Sequence, residues 1–297
     1  MRTINIDAYA KVNWDLHVLG KRPDGFHEVD TVMVSVGLAD KLTLKQDEHL
    51  SLTCSDPDLP CGESNLVIKA ALALAKAAGI EPRARIHLDK RIPSGGGLGG
   101  GSSDAAATLQ ALNQLWQLDW SKEKLREIAA GLGSDVPFFL WHGWCRCKGR
   151  GELVEPLFQA DRPPPVRLWL IIPPYAASTP SVYKKLGASV LDATAKHRIL
   201  TEIEQNVKVE VGRLTNRKVC KHSGVNDLQP AAQRVEPRLE ELARHLEERF
   251  PGRWRMSGSG SVHFVIPEAG MDLVQAQDWF NTFKDPLRIA ETATRSA

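Results

Sequence analysis

The chain has 297 residues, of which 42% are hydrophobic and 25% charged, and its 38 basic and 36 acidic residues leave a net charge of +2. That length is enough for two globular domains, and so small a net charge provides no general attraction to nucleic acid or to an anionic membrane surface. No apolar run approaches the roughly 20 residues that cross a membrane. The five cysteines and nine histidines lack metal or redox spacing, so we expect reduced thiols and no protein-held transition metal.

The N-terminal segment has the pattern of a long β-strand. Every second residue from position 4 to position 18 is apolar, which is the period of a half-buried strand. Lys11 and Asn13 therefore share a polar face, which is solvated unless it lines a cleft. Because the segment shows neither the apolar core of a signal peptide nor an Arg- and Ser-rich transit peptide, we expect a cytoplasmic protein of bacterial type.

A turn at 20–25 follows, and Phe26 and His27 come directly after it. An ordinary strand end explains this pair, and an aromatic face beside a hydrogen-bonding side chain is also what a base-binding pocket needs. Further strands are predicted at 29–36, 39–45 and 50–54, the last two antiparallel. Asn65 is predicted to cap a helix at 66–78 that ends at Gly79, with a role in a nucleotide pocket as the alternative.

The most distinctive stretch runs from 93 to 104 and holds six glycines in seven consecutive positions. A predicted strand at 84–92 precedes it, and a predicted helix from Ser103 to Trp116 follows. Glycines let the backbone approach a phosphate closely, and the N–H groups at a helix N-terminus attract anions. Each ordered glycine costs about 0.5–1 kcal/mol, so six of them indicate a phosphate-binding loop rather than a linker. Ser102 and Ser103 can cap the helix, bind a phosphate oxygen or help to hold Mg²⁺.

Two better-known phosphate loops do not fit this stretch. No Lys-Ser or Lys-Thr pair follows the glycines, as a Walker A loop requires, and the acidic residue of the dinucleotide fingerprint is missing. Further along, Asp135 precedes a proline-containing apolar turn, where it is either a helix N-cap or a general base. A strand and turn at 144–152 contain the sequence Gly-Arg-Gly at 149–151.

The proline-rich stretch at 155–165 predicts a domain boundary, which divides the chain into residues 1–158 and 159–297. The second half is predicted to be an α+β sandwich. Its predicted elements are a strand at 166–172, a short helix from Ser178, a helical segment at 190–215, a helix at 238–250 after Asn226–Pro230, a strand, Gly/Ser turn and strand at 254–266, and a helix at 271–283.

These motifs together resemble a known family. PSGGGLGGGSSDAA at 93–106 is similar to the nucleotide-binding signature of the GHMP kinases, and the Gly/Ser turn at 256–261 resembles their C-terminal glycine motif. The stretches at 8–29, 133–139 and 226–230 resemble the branch that phosphorylates a cytidine diphosphate-linked polyol in the non-mevalonate isoprenoid pathway. The resemblance implies a two-domain α+β GHMP kinase fold, with an N-terminal ribosomal-protein-S5-domain-2-like domain, a C-terminal ferredoxin-like α/β sandwich and the active site between them.

The resemblance also implies a role for each matching residue. Asp135 would take the proton from the substrate hydroxyl, and Lys11 would stabilise the developing negative charge. ATP-binding residues would be Pro93, Ser94, Gly95, Gly96, Gly97, Leu98, Gly99, Gly100, Gly101, Ser102, Ser103 and Asn65. Substrate-binding residues would be Asn13, Phe26, His27, Thr179, Pro180 and Tyr183. ATP is the implied phosphoryl donor with Mg²⁺, for which Ser102 or Ser103 is the only candidate ligand.

Small molecules, namely ATP and the cytidine-linked polyol, are the expected partners of a monomer or weak homodimer, without nucleic acid or membrane. The stretches at 141–147 and 261–263 depart from the family pattern, so no contacts are carried over to the first of them. Two alternatives stay open, another GHMP kinase of mevalonate or homoserine type and a non-catalytic sensor on the same fold. Phe26, His27 and Tyr183 argue against the first alternative, and Lys11 with Asp135 argues against the second.

Overall fold

The computed structural model describes residues 2–158, 163–186, 205–213 and 225–296. Within these ranges the strands form two β-sheets, one from each half of the chain. The strands of the first sheet are Thr3–Lys21 (β1), His27–Lys45 (β2), Ser51–Cys54 (β3), Arg85–Asp89 (β4), Trp144–Gly149 (β5) and Leu153–Pro156 (β6). The strands of the second sheet are Arg167–Ile172 (β7), Trp254–Met256 (β8), His263–Val265 (β9) and Arg288–Ala293 (β10).

Helices cover both sheets, and none in the described part of the chain has the length and apolarity of a membrane-crossing segment. They are Leu66–Ala78 (α1), Gly100–Leu115 (α2), Lys122–Leu132 (α3), Phe138–Trp141 (α4), Thr179–Lys185 (α5), Gln229–Val235 (α6), Arg238–Arg249 (α7) and Leu273–Phe280 (α8). Helix α2 begins three residues before its predicted start at Ser103. Most of the helical segment predicted at 190–215 lies outside the described residues, and its part at 205–213 is helical.

The first sheet is built on an antiparallel hairpin, in which β1 and β2 have 19 residues each. The prediction of separate strands at 29–36 and 39–45 is wrong, because β2 runs through both. Gly37 does not end the strand; β2 pairs with β5 before it and with β4 after it. A Cβ at Gly37 would lie 3.2 Å from the Thr292 hydroxyl, so the glycine permits close packing against β10. β3 runs antiparallel to β2, as predicted, but β4 lies between them and pairs with β3 in parallel.

The second sheet has the strand order β10-β7-β9-β8, and all its neighbours are antiparallel. Helices α5 to α7 lie between β7 and β8 in the chain, and α8 lies between β9 and β10. This β-α-β-β-α-β sequence is the ferredoxin-like arrangement, and it agrees with the predicted α+β fold. The domain boundary after residue 158 stays a prediction, although every described strand of the first sheet precedes it and every one of the second follows it.

The layers are held together by apolar clusters. One cluster joins β1 and β2 to β7 and β9, so the two sheets pack against each other. Helices α1 to α4 cover the other face of the first sheet, and α7 and α8 cover the other face of the second. Residues from Ala10 to Val18 are consequently buried on both faces of β1, where the sequence predicted burial on one. The polar face of β1 therefore lies inside the molecule rather than in solvent.

Candidate functional site

A cavity of about 1270 Å³ lies between the β1–β2 hairpin, the glycine loop and α5. Most of the residues predicted for the site line it. Those that do are Lys11, Asn13, Phe26, His27, all ten residues from Pro93 to Ser102, Asp135, Thr179, Pro180 and Tyr183. The tertiary structure thus brings together segments that are up to about 170 positions apart in the sequence.

Lys11 and Asp135 lie side by side in the lining of this cavity. The Lys11 Nζ is 3.5 Å from Asp135 Oδ2, and it donates a hydrogen bond of 2.6 Å to Asn13 Oδ1. Asn13 in turn donates 2.9 Å to the Thr31 hydroxyl, which orients its amide. Lys11 is 3% exposed, whereas the Asp135 side chain is 32% exposed. A fixed ammonium group and an accessible carboxylate therefore face the same space.

The position of Asp135 depends on the chain around it. The residue follows α3 and precedes Pro137, which is the N-terminal boundary residue of α4. The Asp135 side chain caps no helix, so its interpretation as an N-cap is wrong. Phe138 and Phe139 are almost fully buried just beyond it and anchor the segment in the core. The carboxylate is therefore held at the cavity while its neighbours supply the burial.

Positive φ angles shape the glycine loop, at 73° for Gly95, 79° for Gly97 and 72° for Gly99. A Cβ on Gly97 would lie 2.2 Å from the Ser257 carbonyl oxygen, and one on Gly99 would lie 2.7 Å from the Phe139 ring and 3.2 Å from Lys11 Cγ. Only glycine fits these positions, and the loop packs directly on Lys11 as a result. Helix α2 then starts with its free N–H groups at the cavity, which is the arrangement that binds phosphate.

A second glycine turn at 256–261 supports the first loop. The Ser257 hydroxyl donates 3.0 Å to the Gly97 carbonyl and accepts 3.2 Å from the Asn13 N–H. Asn226 donates hydrogen bonds of 2.7 and 2.9 Å to the carbonyls of Met256 and Gly258. The motif at 226–230 thus has a structural role that its sequence did not indicate, since it holds the second glycine turn against the first.

Aromatic rings gather at the other end of the cavity. The His27 and Tyr183 rings are 4.9 Å apart with a tilt of 31°, and Phe26 is 48% exposed beside them. Burial and then the charge of Lys21 lower the pKa of His27, so its imidazole is neutral near pH 7. A neutral imidazole offers one donor and one acceptor to a polar ring. The Thr179 hydroxyl is 2.6 Å from that of Ser259, which joins this end to the second glycine turn.

Two predicted residues do not reach the cavity. Asn65 caps α1, as one interpretation proposed: its side chain accepts from the Val67 N–H at 2.9 Å and donates to the Pro60 carbonyl at 2.8 Å. Ser103 is buried and donates 2.8 Å to the Tyr9 carbonyl, so it ties α2 to β1. Both side chains are occupied by backbone partners, and neither lines the cavity.

Four charged residues that line the cavity were not predicted from the sequence: Lys21, Lys90, Arg150 and Lys184. The Lys90 ammonium binds Asp40 and, at 2.8 Å, Asp104, and all three side chains are buried. Burial raises the pKa of Asp104 to about 7, against the opposing effect of Lys90. The sequence offered one indication for two of these residues. Lys90 comes just before the glycine loop, and Arg150 stands between two glycines.

Metal binding by protein side chains alone finds no support at the cavity. Among the described residues, no cluster of three or more histidine, cysteine, aspartate or glutamate side chains could hold a metal ion. Of the two serines predicted as Mg²⁺ ligands, Ser102 lines the cavity at the start of α2, and Ser103 does not.

The comparisons with known proteins all find kinases. A family model described as the GHMP kinases N terminal domain matches residues 65–143. The chain is 37% identical over 269 residues to 4-diphosphocytidyl-2-C-methyl-D-erythritol kinase of Protochlamydia amoebophila. The alignment covers 90% of this chain and 85% of that protein. A crystal structure of 4-(cytidine 5'-diphospho)-2C-methyl-D-erythritol kinase aligns with a TM-score of 0.77 at 32% identity, covering 99% of this chain and 100% of the other. Homoserine kinase of Cytophaga hutchinsonii aligns with a TM-score of 0.72 at 20% identity over 100% of this chain and 96% of the other, which shows a shared fold.

Proposed function

The chain belongs to the family of 4-diphosphocytidyl-2-C-methyl-D-erythritol kinases, and we propose that its cleft transfers the γ-phosphate of ATP to the 2-hydroxyl of 4-(cytidine 5'-diphospho)-2-C-methyl-D-erythritol. It is thus an ATP-dependent small-molecule kinase of isoprenoid biosynthesis. One observation carries the assignment of the site: the Lys11–Asp135 pair lies in one cavity with the glycine loop and the Phe26–His27–Tyr183 end. A phosphoryl donor bound at the glycine loop and an acceptor hydroxyl, whose base is held at the aromatic end, would meet at that pair.

Asp135 is the proposed general base for the acceptor hydroxyl. Its carboxylate is accessible from the cavity, and the Lys11 ammonium 3.5 Å away compensates its charge. As the hydroxyl attacks the γ-phosphorus, its proton passes to Asp135 and the bond to the ADP oxygen breaks. Lys11 then stabilises the negative charge that develops on the transferred group. Asn13 keeps the Lys11 ammonium in place through their 2.6 Å hydrogen bond and is proposed to contact the substrate as well.

The glycine loop is the proposed cradle for the ATP phosphates. Its backbone N–H groups and the N-terminus of α2 supply fixed positive dipoles, which need no reorganisation when charge moves during transfer. Residues 93–102 are the proposed contacts, and the bond from Ser103 to the Tyr9 carbonyl fixes the start of α2 against β1. Asn65 caps α1 and is not proposed as a contact. Such positioning is the main task of a phosphoryl-transfer site.

Mg²⁺ is the proposed companion of ATP. It takes oxygen ligands and usually keeps several waters, so one protein ligand together with phosphate oxygens is a suitable set. The Ser102 hydroxyl at the start of α2 fits that requirement, and it is the proposed ligand. When bound, the ion neutralises phosphate charge.

The aromatic end is proposed to bind the cytosine ring. Phe26 and Tyr183 would stack on its two faces, while the neutral His27 would hydrogen-bond its polar edge. Thr179 and Pro180 border the pocket at the start of α5. We further propose a cytoplasmic enzyme with small-molecule partners only, a domain boundary after residue 158, and a monomer or weak homodimer, for which light scattering gives the mass in solution.

Phosphorylation assays test the function directly. With ATP and Mg²⁺, the cytidine-linked alcohol should be phosphorylated, and mevalonate and homoserine should not. The Asp135→Asn variant should lose several orders of magnitude in turnover and keep its ATP affinity, because the amide cannot accept the proton. Activity on mevalonate or homoserine alone would overturn the substrate assignment. Wild-type turnover of Asp135→Asn would overturn the role of Asp135.

A further inference from the structure

The turn that joins β5 to β6, residues 149–152, touches two parts of the site that are far apart in sequence. Arg150 lines the cavity from this turn, and its side chain is 23% exposed. Nothing in the phosphoryl transfer described above requires this residue. Its contacts show what it can contribute.

Arg150 makes three polar contacts, two with Glu152 and one with Ala130. Its backbone N–H donates 2.6 Å to Glu152 Oε2, and its Nε is 3.8 Å from the other oxygen of the same carboxylate. Its Nη2 donates 3.1 Å to the carbonyl of Ala130, in the last turn of α3. A Cβ on Gly149 would lie 2.7 Å from Glu152 Oε2, so the glycine lets the carboxylate fold over the turn. The guanidinium is therefore fixed before any substrate arrives.

The fixed guanidinium lies over the face of Phe26, with 4.7 Å between its Cζ and the ring centroid. Phe26 stands at the tip of the β1–β2 hairpin, half exposed, and its backbone N–H is bound to Asp24. An exposed aromatic ring samples several rotamers and loses that freedom when a base stacks on it. A cation–π contact that holds the ring in advance reduces this loss, and the half-exposed ring remains accessible to a base.

The same turn also packs on the proposed base. A Cβ on Gly151 would lie 3.5 Å from Asp135 Oδ1 and 3.4 Å from the Ser134 carbonyl. The bond from Arg150 to Ala130 reaches the helix that leads into this segment. One short turn therefore contacts both the ring that would bind the acceptor and the segment that carries the general base.

We propose that Arg150 is a specificity-determining positioning residue, which holds the Phe26 ring in the orientation that receives the pyrimidine base of the acceptor. The inference rests on the proposed function, since it assumes a cytidine-linked acceptor. Its effect should appear in acceptor binding and not in the chemical step. A direct contact between Arg150 and the diphosphate of the acceptor is the competing explanation, and the experiment separates the two.

The test uses Arg150→Met, which keeps an unbranched apolar stem and removes the cation, and Arg150→Lys, which keeps a cation without the planar group. Wild type and variants are assayed with the cytidine-linked alcohol, and cytidine and cytidine 5'-monophosphate serve as competitive inhibitors. The Arg150→Met variant should raise the acceptor KM and both inhibition constants about tenfold, with the kcat and the KM for ATP changed by less than about twofold. Lys148→Met is the matched control, because Lys148 pairs with Glu155 and lies outside the cavity lining.

A double-mutant cycle with Phe26→Leu completes the design. In the Phe26→Leu background, Arg150→Met should leave cytidine inhibition unchanged, because the ring that it orients is gone. Equal losses in both backgrounds, or a loss for cytidine 5'-monophosphate without one for cytidine, would overturn the inference. If Arg150→Met does not fold, the same cycle is run with Arg150→Lys, where the expected loss is smaller. A wild-type enzyme inactive on the cytidine-linked alcohol would instead refute the proposed function, whatever the variants do.

Discussion

Replacing Asp104 by asparagine should remove a large part of the dependence of stability on pH. Asp104 lies in the first half of α2 and is 3% exposed. One of its oxygens accepts a hydrogen bond from Lys90, and the other has no hydrogen-bond partner among the described residues. Asp40, in contrast, accepts from Lys90 and from two backbone N–H groups, of Arg91 and Ile92. Two buried carboxylates thus share one ammonium group, and Asp104 is the less well satisfied of the two.

The magnitude follows from the pKa. Burial raises the pKa of Asp104 from 3.8 to about 7, so between these values the folded state holds a proton that the unfolded state has lost. Stability therefore falls as pH rises through this window, by about 1.4 kcal/mol per pH unit and by about 4 kcal/mol in all. Asparagine can still accept from Lys90 and carries no charge at any pH. Relative to wild type, Asp104→Asn should gain about 3 kcal/mol between roughly pH 5 and pH 8.

Urea denaturation of both proteins at several pH values measures this difference. Groups that do not contact Asp104 contribute about equally to both proteins, so the difference between the two free energies of unfolding reports Asp104 together with its neighbours Lys90 and Asp40. Asp58→Asn is the control, because Asp58 is an exposed loop residue whose loss should leave the curve parallel to that of wild type. Parallel curves for Asp104→Asn and wild type would show that the carboxylate is ionised in the folded protein at all these pH values, and the argument from its burial would fail.

Two further substitutions test the contact between the glycine turns. Gly97→Ala should cost at least about 2 kcal/mol of stability and weaken ATP binding, because its Cβ would clash with the Ser257 carbonyl and because φ is 79° at this position. Gly131→Ala is the control; with open space around it, this substitution should be neutral or stabilising. Asn226→Asp should raise the KM for ATP and lower the thermal midpoint, since a carboxylate cannot donate to the carbonyls of the second glycine turn. Asn281→Asp, at the exposed end of α8, is its control, and equal behaviour of the two variants would refute the supporting role.

Much of the local structure could be predicted because its causes are local. Asn65 and Gly79 end α1 as predicted, since a side chain that accepts from a nearby N–H and a residue that adopts positive φ act within one turn of helix. The density of glycine at 95–101 indicated a close approach, and the alternation from 4 to 18 indicated a strand. The predictions were wrong where contacts with residues far along the chain outweighed the local pattern. The break predicted between the strands at 29–36 and 39–45 contains Gly37, and the nearby Thr292 side chain explains why a glycine stands there without ending the strand.

The amino-acid sequence by itself determined most of the elements, and it predicted phosphate binding by the glycine loop and, through its resemblance to a family, the roles of Lys11 and Asp135. Only the tertiary structure decided which side chains share the cavity. It buries the polar face of β1, turns Ser103 toward Tyr9 and stacks Arg150 on Phe26. Strand pairing and layer packing bring Ser103 to Tyr9 across 94 positions and Arg150 to Phe26 across more than a hundred. A pattern that repeats every two or four residues carries no information about contacts at that range.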